Sequence, residues 1–196
     1  MIPTAVFISG TGSNLAALIQ HTRAPDHPAE ICVVFANREA PGLAHARAAG
    51  IPTVVLSHRD FPSRSTYDQA IVDALRPFGV RWICLAGYMR LVSHTLINAF
   101  EGRVLNIHPA LLPSFPGLHA QKQALEYGVK LTGVTIHYVD TGMDTGPIIA
   151  QQAVPVLPDD TEDSLKARIL EVEHRLYAQT LRQVLSLAPD GPHPRP

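Results

Sequence analysis

Short apolar runs alternate with amphipathic patterns along the first half of the chain. The runs are rich in valine and isoleucine and lie at about 4 to 8, 31 to 36, 53 to 56 and 80 to 86. Such runs, bounded by glycine, proline or asparagine, are typical of strands buried on both faces. Helical patterns fall between them at about 13 to 21, 41 to 49 and 64 to 76. The alternation predicts a doubly wound α/β sheet that is mostly parallel.

The second half of the chain continues the sheet and ends in a long helix. Short strands are predicted near 103 to 107, 132 to 139 and 148 to 154. A helix at about 160 to 187 begins with acidic residues, which complement the helix dipole. In the middle strand, Thr135 and His137 share one face. We therefore expect that strand to be less completely buried than the others, with a polar face against which a site could lie.

Composition limits the classes of function. The 196 residues carry a formal net charge of -1, which argues against nucleic acid or a membrane surface as a partner, since those need clustered Lys and Arg. Cys32 and Cys84 lie inside apolar runs and indicate a reducing compartment without a disulfide. No stretch approaches the ~20 apolar residues of a membrane span, so we expect a soluble, cytoplasmic protein. We expect one domain over 1 to 187 and a flexible proline-rich tail over 188 to 196.

Two segments combine residues suited to acyl-group transfer. Asn106 and His108 are two apart at the end of a predicted strand, so both side chains leave the sheet on one face. Asp144, in a turn flanked by glycines, could reach the same spot, orient the imidazole and favour its protonated form. The alternative is structural, because such residues also cap turns and bond their own backbone.

A glycine turn follows the first strand and opens the first helix, in the string SGTGSNL at 9 to 15. Backbone amides and a helix N-terminus there form a site for a phosphate. A monophosphate fits better than a dinucleotide, because Leu15 occupies the third glycine position of the dinucleotide motif. An N-capping turn without a ligand is the alternative.

The ten histidines show no spacing that predicts a metal site. His108, His119, His137 and His174 contain no His-x-x-x-His pair, and the cysteines are far apart. We therefore expect no metal.

The motifs together resemble phosphoribosylglycinamide formyltransferases. They occur in the family's order and cover nearly the whole chain: SGTGSNL, AGYMRL (86 to 91), NIHPALLPSFPG (106 to 117), GVTIHYVDTGMDTGPII (133 to 149) and EVEHRLY (171 to 177). The resemblance implies a three-layer α/β/α sandwich around a mixed seven-stranded sheet. It also implies formyl transfer from 10-formyltetrahydrofolate, a co-substrate, to the amine of phosphoribosylglycinamide, by a monomer or homodimer.

The resemblance also assigns site residues. Gly12, Ser13 and Asn14 would hold the substrate phosphate, and Glu173 would meet the amine end of the glycinamide. The folate would contact Arg64, Met89, Arg90, Leu91, Val92, Asn106, Asp140, Thr141, Gly142, Met143 and Asp144. From the residues alone, Arg64 and Glu173 could equally be solvated helical charges.

The expected mechanism needs no metal and no covalent intermediate. Asn106 and protonated His108 would donate hydrogen bonds to the oxyanion, while a water held by Asp144 and His108 would carry the amine proton to the folate nitrogen. Residues 110 to 130 would form a lid over the folate, with a rigid surface loop as the alternative.

Methionyl-tRNA formyltransferase and formyltetrahydrofolate hydrolase share the Asn, His and Asp core, but the SGTGSNL loop separates the chain from both. A non-catalytic nucleotide-binding module is the remaining alternative.

Overall fold

The computed structural model describes residues 1 to 191, and the expected tail at 192 to 196 lies outside them. The strands are β1 (Ile2–Ile8), β2 (Ala29–Ala36), β3 (Thr53–Val55), β4 (Trp82–Leu85), β5 (Val104–His108), β6 (Leu131–Tyr138) and β7 (Ile148–Pro155). The helices are α1 (Ser13–Thr22), α2 (Leu43–Ala48), α3 (Arg64–Leu75), α4 (His94–Ala99), α5 (Ala120–Tyr127) and α6 (Glu162–Leu187). Every predicted strand and helix is confirmed, while α4 was not predicted because only six residues follow its Ser93 cap.

The strands form one seven-stranded sheet in the order β3-β2-β1-β4-β5-β6-β7. Strands β1 to β5 pair in parallel, whereas β6 runs antiparallel to β5 and β7 antiparallel to β6. The predicted mixed sheet is therefore confirmed. The strand order changes direction at β1, which lies between β2 and β4. Open α/β sheets bind ligands at such a switch point, outside the carboxyl ends of the strands.

Helices cover both faces of the sheet because successive strand residues point to opposite sides. On one face, Val6 and Ile8 pack with residues of α1, α2 and α6. On the other face, Ala5 and Phe7 pack with residues of α3 and α4. Two apolar layers of this kind make the three-layer sandwich that the resemblance implied.

The polar face of β6 is buried, so the expectation that this strand is less covered was wrong. Thr135 is 0 % and His137 2 % exposed. The chain after β5 folds over this face, where the Thr135 hydroxyl donates to the carbonyl of Ala110 and accepts from the amide of Leu112. Buried polar groups are tolerated there because each finds a hydrogen-bond partner.

The beginning of the predicted tail is held against the sheet. The Trp82 indole Nε1 donates to the carbonyl of Pro189 at 2.9 Å, and Gly191 is buried. Residues 188 to 191 therefore contact the sheet, and the flexibility of the tail stays a prediction.

A side chain of helix α6 holds the helix against the ends of β4 and β5. It starts with a capping box between Thr161 and Ser164, and its buried Tyr177 hydroxyl lies 3.1 Å from the carbonyls of both Leu85 and Leu105. Those two residues end β4 and adjoin Asn106. Tyr177 thus sets the distance between α6 and the carboxyl ends of β4 and β5.

We expect Tyr177→Phe to lower the free energy of unfolding by about 1 to 3 kcal/mol, because the one hydroxyl hydrogen that two buried carbonyls share is lost. Urea denaturation measures this change. The exposed Tyr127→Phe provides a matched control that should leave stability nearly unchanged. An equal effect of the two substitutions would show that the Tyr177 hydroxyl does not hold α6.

Candidate active site

A cleft of about 590 Å³ opens at the carboxyl ends of β1, β4 and β5. Most of the predicted site residues line it: Gly12, Ser13, Asn14, Met89, Arg90, Leu91, Val92, Asn106, His108, Asp140, Gly142, Met143, Asp144 and Glu173. Arg64 and Thr141 are not among the lining residues. Arg64 is the exposed first residue of α3, so the structure favours its alternative reading as a solvated helix-end charge. Thr141 is exposed in the turn after β6.

The glycine turn after β1 presents an uncapped helix N-terminus to the cleft. Gly12 is the N-cap of α1 with φ +74°, and no side chain caps the helix there. A Cβ on Gly12 would lie 2.8 Å from the Cα of Gly42, so the two backbones are in close contact and only glycine fits. Free amides at a helix N-terminus attract anions, which agrees with the predicted phosphate site.

Glu173 lies on α6, 159 residues from Asn14 along the chain, and contacts this turn. Its Oε2 accepts a hydrogen bond of 2.7 Å from Asn14 Nδ2, and the residue is 5 % exposed. Burial raises the pKa of the Glu173 carboxyl to about 7, although the Asn14 hydrogen bond and Lys166 act in the opposite direction. The reading of Glu173 as an exposed helical charge is therefore wrong, since it lies buried beside the glycine turn.

Asn106 and His108 leave β5 on the same face, as their spacing predicted. In the antiparallel register with β6, Asn106 lies opposite His137 and His108 lies opposite Thr135. The side chains of Asn106 and His108 both reach Asp144, which comes from the turn between β6 and β7.

The Asp144 carboxylate contacts nitrogen atoms from three segments of the chain. Its Oδ2 accepts from the amide of Gly117 at 2.8 Å and lies 3.3 Å from His108 Nδ1. Its Oδ1 accepts from Asn106 Nδ2 at 3.3 Å and lies 3.6 Å from His137 Nε2. The backbone of Asp144 has φ +55°, a conformation that asparagine and aspartate tolerate better than most residues. The carboxylate thus binds distant residues rather than capping its own turn.

These donors keep Asp144 ionised. Burial alone would raise its pKa, but the contact with His137, the Gly117 amide and the nearby imidazoles together hold the pKa below its usual value. A carboxylate at this position is therefore charged at neutral pH.

His108 lies between two groups that can only accept hydrogen bonds. Its Nε2 is 2.8 Å from the carbonyl oxygen of Phe115, and its Nδ1 faces the Asp144 carboxylate. A neutral imidazole has one N–H and one lone pair, so one of these contacts would then bring two acceptors together. That His108 is protonated stays a prediction from the sequence, and two acceptors on opposite sides of its ring are what an imidazolium would bind.

The Asn106 amide contacts two side chains inside the protein. Its Nδ2 is 3.1 Å from His137 Nε2 and 3.3 Å from Asp144 Oδ1. That Asn106 and His108 donate to an oxyanion stays a prediction, and for His108 it requires that Nε2 leave the Phe115 carbonyl.

The sequence pattern of the family described as formyl transferase matches residues 3 to 181. Phosphoribosylglycinamide formyltransferase of Bacillus subtilis is 41 % identical over 184 residues, which cover 93 % of this chain and 94 % of the relative. A solved phosphoribosylglycinamide formyltransferase from Bacillus halodurans is 47 % identical, covers 95 % of this chain and 96 % of its own, and superposes with a TM-score of 0.91. The chain belongs to the formyl transferase family.

Other relatives are much longer than this chain. The trifunctional purine biosynthetic protein adenosine-3 of Drosophila melanogaster is 51 % identical over 185 residues, which are 93 % of this chain. This chain spans only 14 % of that relative.

The family member described here carries an apolar rim on one side of its cleft. Met89, Leu91 and Met143 line the cleft and are exposed. The loop that bears Met89 is tied to the end of β1, because the Met89 amide donates to the Ser9 hydroxyl at 2.9 Å. Asp140 shapes the opposing turn by accepting from the Gly142 amide and the Thr145 hydroxyl. An exposed apolar rim of this kind suits a flat, largely apolar ligand.

Several cleft residues were not predicted from the sequence. Lys166 and Leu170 precede Glu173 by seven and three residues on α6 and line the cleft. Helical spacing back from Glu173 is the signal that would have found them. His137 was placed near Asp144, but its contact with Asn106 depends on the β5–β6 register and carries no local signal.

Two absences concern residues 1 to 191. No helix in this part of the chain is both long and apolar enough to cross a membrane. Over the same residues, no group of three or more His, Cys, Asp or Glu side chains is arranged to hold a metal ion.

We expect the contribution of Glu173 to the stability of the free protein to fall as the pH rises from about 4.5 to about 7, because the folded Glu173 keeps its proton after the unfolded one, with its ordinary pKa of 4.5, has lost it. The shift corresponds to a loss of about 3 kcal/mol, complete above pH 7. Urea denaturation of the wild type and of Glu173→Gln across this range isolates the effect, since glutamine does not titrate. Parallel stability curves for the two proteins would contradict a raised pKa of Glu173.

Proposed function

We propose that the protein transfers a formyl group from 10-formyltetrahydrofolate to the amine of phosphoribosylglycinamide. The observation that carries the proposal is the single cleft that joins an uncapped helix N-terminus to Asn106, His108 and Asp144. The names of the relatives that match over nearly their whole length support the same reaction.

The two substrates fit opposite ends of the cleft. The phosphate binds at Gly12, Ser13 and Asn14, where backbone amides at the start of α1 are free. The folate lies along the loop that carries Met89 and against the turn at 140 to 144. This arrangement places the glycinamide amine between Glu173 and the Asn106–His108 pair.

The reaction proceeds by addition and elimination. The neutral amine nitrogen bonds to the formyl carbon, and the π electrons of the formyl C=O move to its oxygen. The His108 imidazolium donates from Nε2 to that oxygen, and Asp144 keeps the imidazolium charged and oriented. The electron pair then returns, the bond between carbon and the folate nitrogen breaks, and that nitrogen receives the proton lost by the amine through a water held by Asp144 and His108.

The loop after β5 controls when His108 is available. The Phe115 carbonyl occupies His108 Nε2, and the Gly117 amide occupies Asp144 Oδ2. Phe115 and His119 both have positive φ, at 53° and 59°. The loop is anchored at Leu112 but must release His108 before the formyl oxygen can take its place, so it acts as a lid.

We expect His108→Ala and Asp144→Asn each to lower turnover by about 10²- to 10⁴-fold, because both groups act on charge that develops in the transition state. Affinity for phosphoribosylglycinamide should stay within a few fold. Tetrahydrofolate release from the two substrates measures turnover, and titration calorimetry measures affinity. The exposed His94→Ala is the matched control and should be fully active.

Wild-type turnover by either site variant would contradict the mechanism. If the wild-type protein binds the substrate and is stabilised by it but releases no tetrahydrofolate, the protein is a binding module instead.

Amide hydrogen exchange tests the lid. We expect fast exchange over 118 to 130 in the free protein and clear protection when a folate analogue is bound. The amides of α3, on the far face of the sheet, should not change and serve as the internal control. Full protection of 118 to 130 in the free protein would show a rigid loop and leave it no part in gating.

A further inference from the structure

The loop that carries Met89 is held by few hydrogen bonds. Of the backbone amides from 87 to 92, only that of Met89 donates a hydrogen bond to another part of the chain that the structure describes. The Met89 side chain is 63 % exposed and gives its own backbone little support. The position of this backbone therefore depends largely on its one acceptor, the buried Ser9 hydroxyl, 2.9 Å away.

Asn37 determines how the Ser9 hydroxyl is used. Ser9 Oγ accepts from the Met89 amide and donates to Asn37 Oδ1 at 2.7 Å. The Met89 amide can only donate, so the single hydroxyl hydrogen has to point elsewhere, and the Asn37 oxygen receives it. Asn37 thus keeps a lone pair of Ser9 directed at the loop.

The sheet brings Asn37 and Ser9 together. Ile8 of β1 is paired with Ala36 of β2, and Ser9 and Asn37 are the residues that follow. The next residue, Arg38, donates from Nε to the Ser9 carbonyl at 3.0 Å. The end of the second strand is where dinucleotide-binding sheets place a carboxylate for the ribose. Here it carries a buried amide that holds the end of the first strand instead.

We propose that Asn37 is a positioning residue for the folate, because it fixes, through the Ser9 hydroxyl, the loop that carries Met89 and Leu91. The role in folate binding rests on the proposed function, which places the folate along this loop. Neither Asn37 nor Ser9 lines the cleft, so both act through the loop. A ligand that has to order a loose loop binds more weakly than one that meets the loop already in place.

The glycine turn has supports of its own. The Gly42 amide donates to the Gly10 carbonyl at 3.0 Å, and Gly42 is in close contact with Gly12. The turn therefore keeps its shape without Asn37. A substitution of Asn37 should weaken binding of the folate and leave binding of the phosphate nearly unchanged.

Amide hydrogen exchange in the free protein tests the support of the loop. In the wild type, the Met89 amide should exchange about tenfold more slowly than the Leu91 amide, for which the described part of the chain offers no acceptor. Asn37→Leu has no acceptor for the Ser9 hydroxyl and should lose most of this protection. Equal exchange of the two amides in the wild type would overturn the proposal even if the Leu variant does not fold.

Titration calorimetry with tetrahydrofolate and with phosphoribosylglycinamide tests the role in binding. We expect Asn37→Leu to bind tetrahydrofolate about tenfold more weakly, since one buried hydrogen bond is worth about that factor, and phosphoribosylglycinamide within about threefold of the wild type. Asn37→Asp keeps an acceptor oxygen and should bind both ligands nearly as the wild type does. The exposed Asn98→Leu is the matched control and should change neither affinity. Equal losses for the two ligands, or no loss for tetrahydrofolate, would overturn the proposal.

Kinetics of the same variants separate positioning from a merely structural role. In Asn37→Leu, KM for 10-formyltetrahydrofolate should rise about tenfold while kcat and KM for phosphoribosylglycinamide stay within about threefold. A merely structural role would lower the melting temperature without this difference between the two KM values. A wild type that binds tetrahydrofolate in the expected Asn37-dependent way but transfers no formyl group would refute the proposed function and leave the role of Asn37 intact. A wild type that binds no tetrahydrofolate would overturn both.

Discussion

The ionised Asp144 carboxylate is the constraint on which the site depends. A buried carboxylate is costly unless hydrogen-bond donors surround it, and here the donors come from β5, from the loop after β5 and from β6. Because no single segment could satisfy the charge, its burial forces these segments together. The same contacts that stabilise the charge also orient His108 and Asn106. The stability of the fold and the geometry of the candidate site therefore depend on the same interaction.

The reversal of strand direction after β5 makes this convergence possible. In a fully parallel sheet, catalytic groups gather only where strands end. Here β6 runs back along β5, so His137 near the end of β6 lies beside Asn106 near the end of β5. The turn into β7 then delivers Asp144 to the same point. The glycine turn at the start of α1 follows β1 in the parallel half of the sheet, and Glu173 on α6 contacts it through Asn14.

The pairing of Asn106 with His108 could be predicted because it depends only on the period of a strand. The uncapped turn at Gly12 likewise follows from local sequence. The contact between Asn106 and His137 could not be predicted, since it depends on the register between β5 and β6, which no local pattern encodes. The burial of Thr135 and His137 was missed for a similar reason. The two-residue period of a strand shows which residues share a face. It does not show that a distant loop, held at Ala110 and Leu112, covers that face.

The ionisation state of Asp144 is the most direct test of this account. Carbon-13 NMR of the labelled side-chain carboxyl, recorded against pH in the free protein, reports it residue by residue, with Asp144→Asn to assign the signal. The account predicts that this carboxyl titrates below an ordinary aspartate and that the transition shifts upward in His137→Met, which removes one of its stabilising neighbours. A carboxyl that titrates above the ordinary range would mean that burial dominates, that Asp144 is neutral over part of the working pH range, and that it cannot hold His108 as an imidazolium.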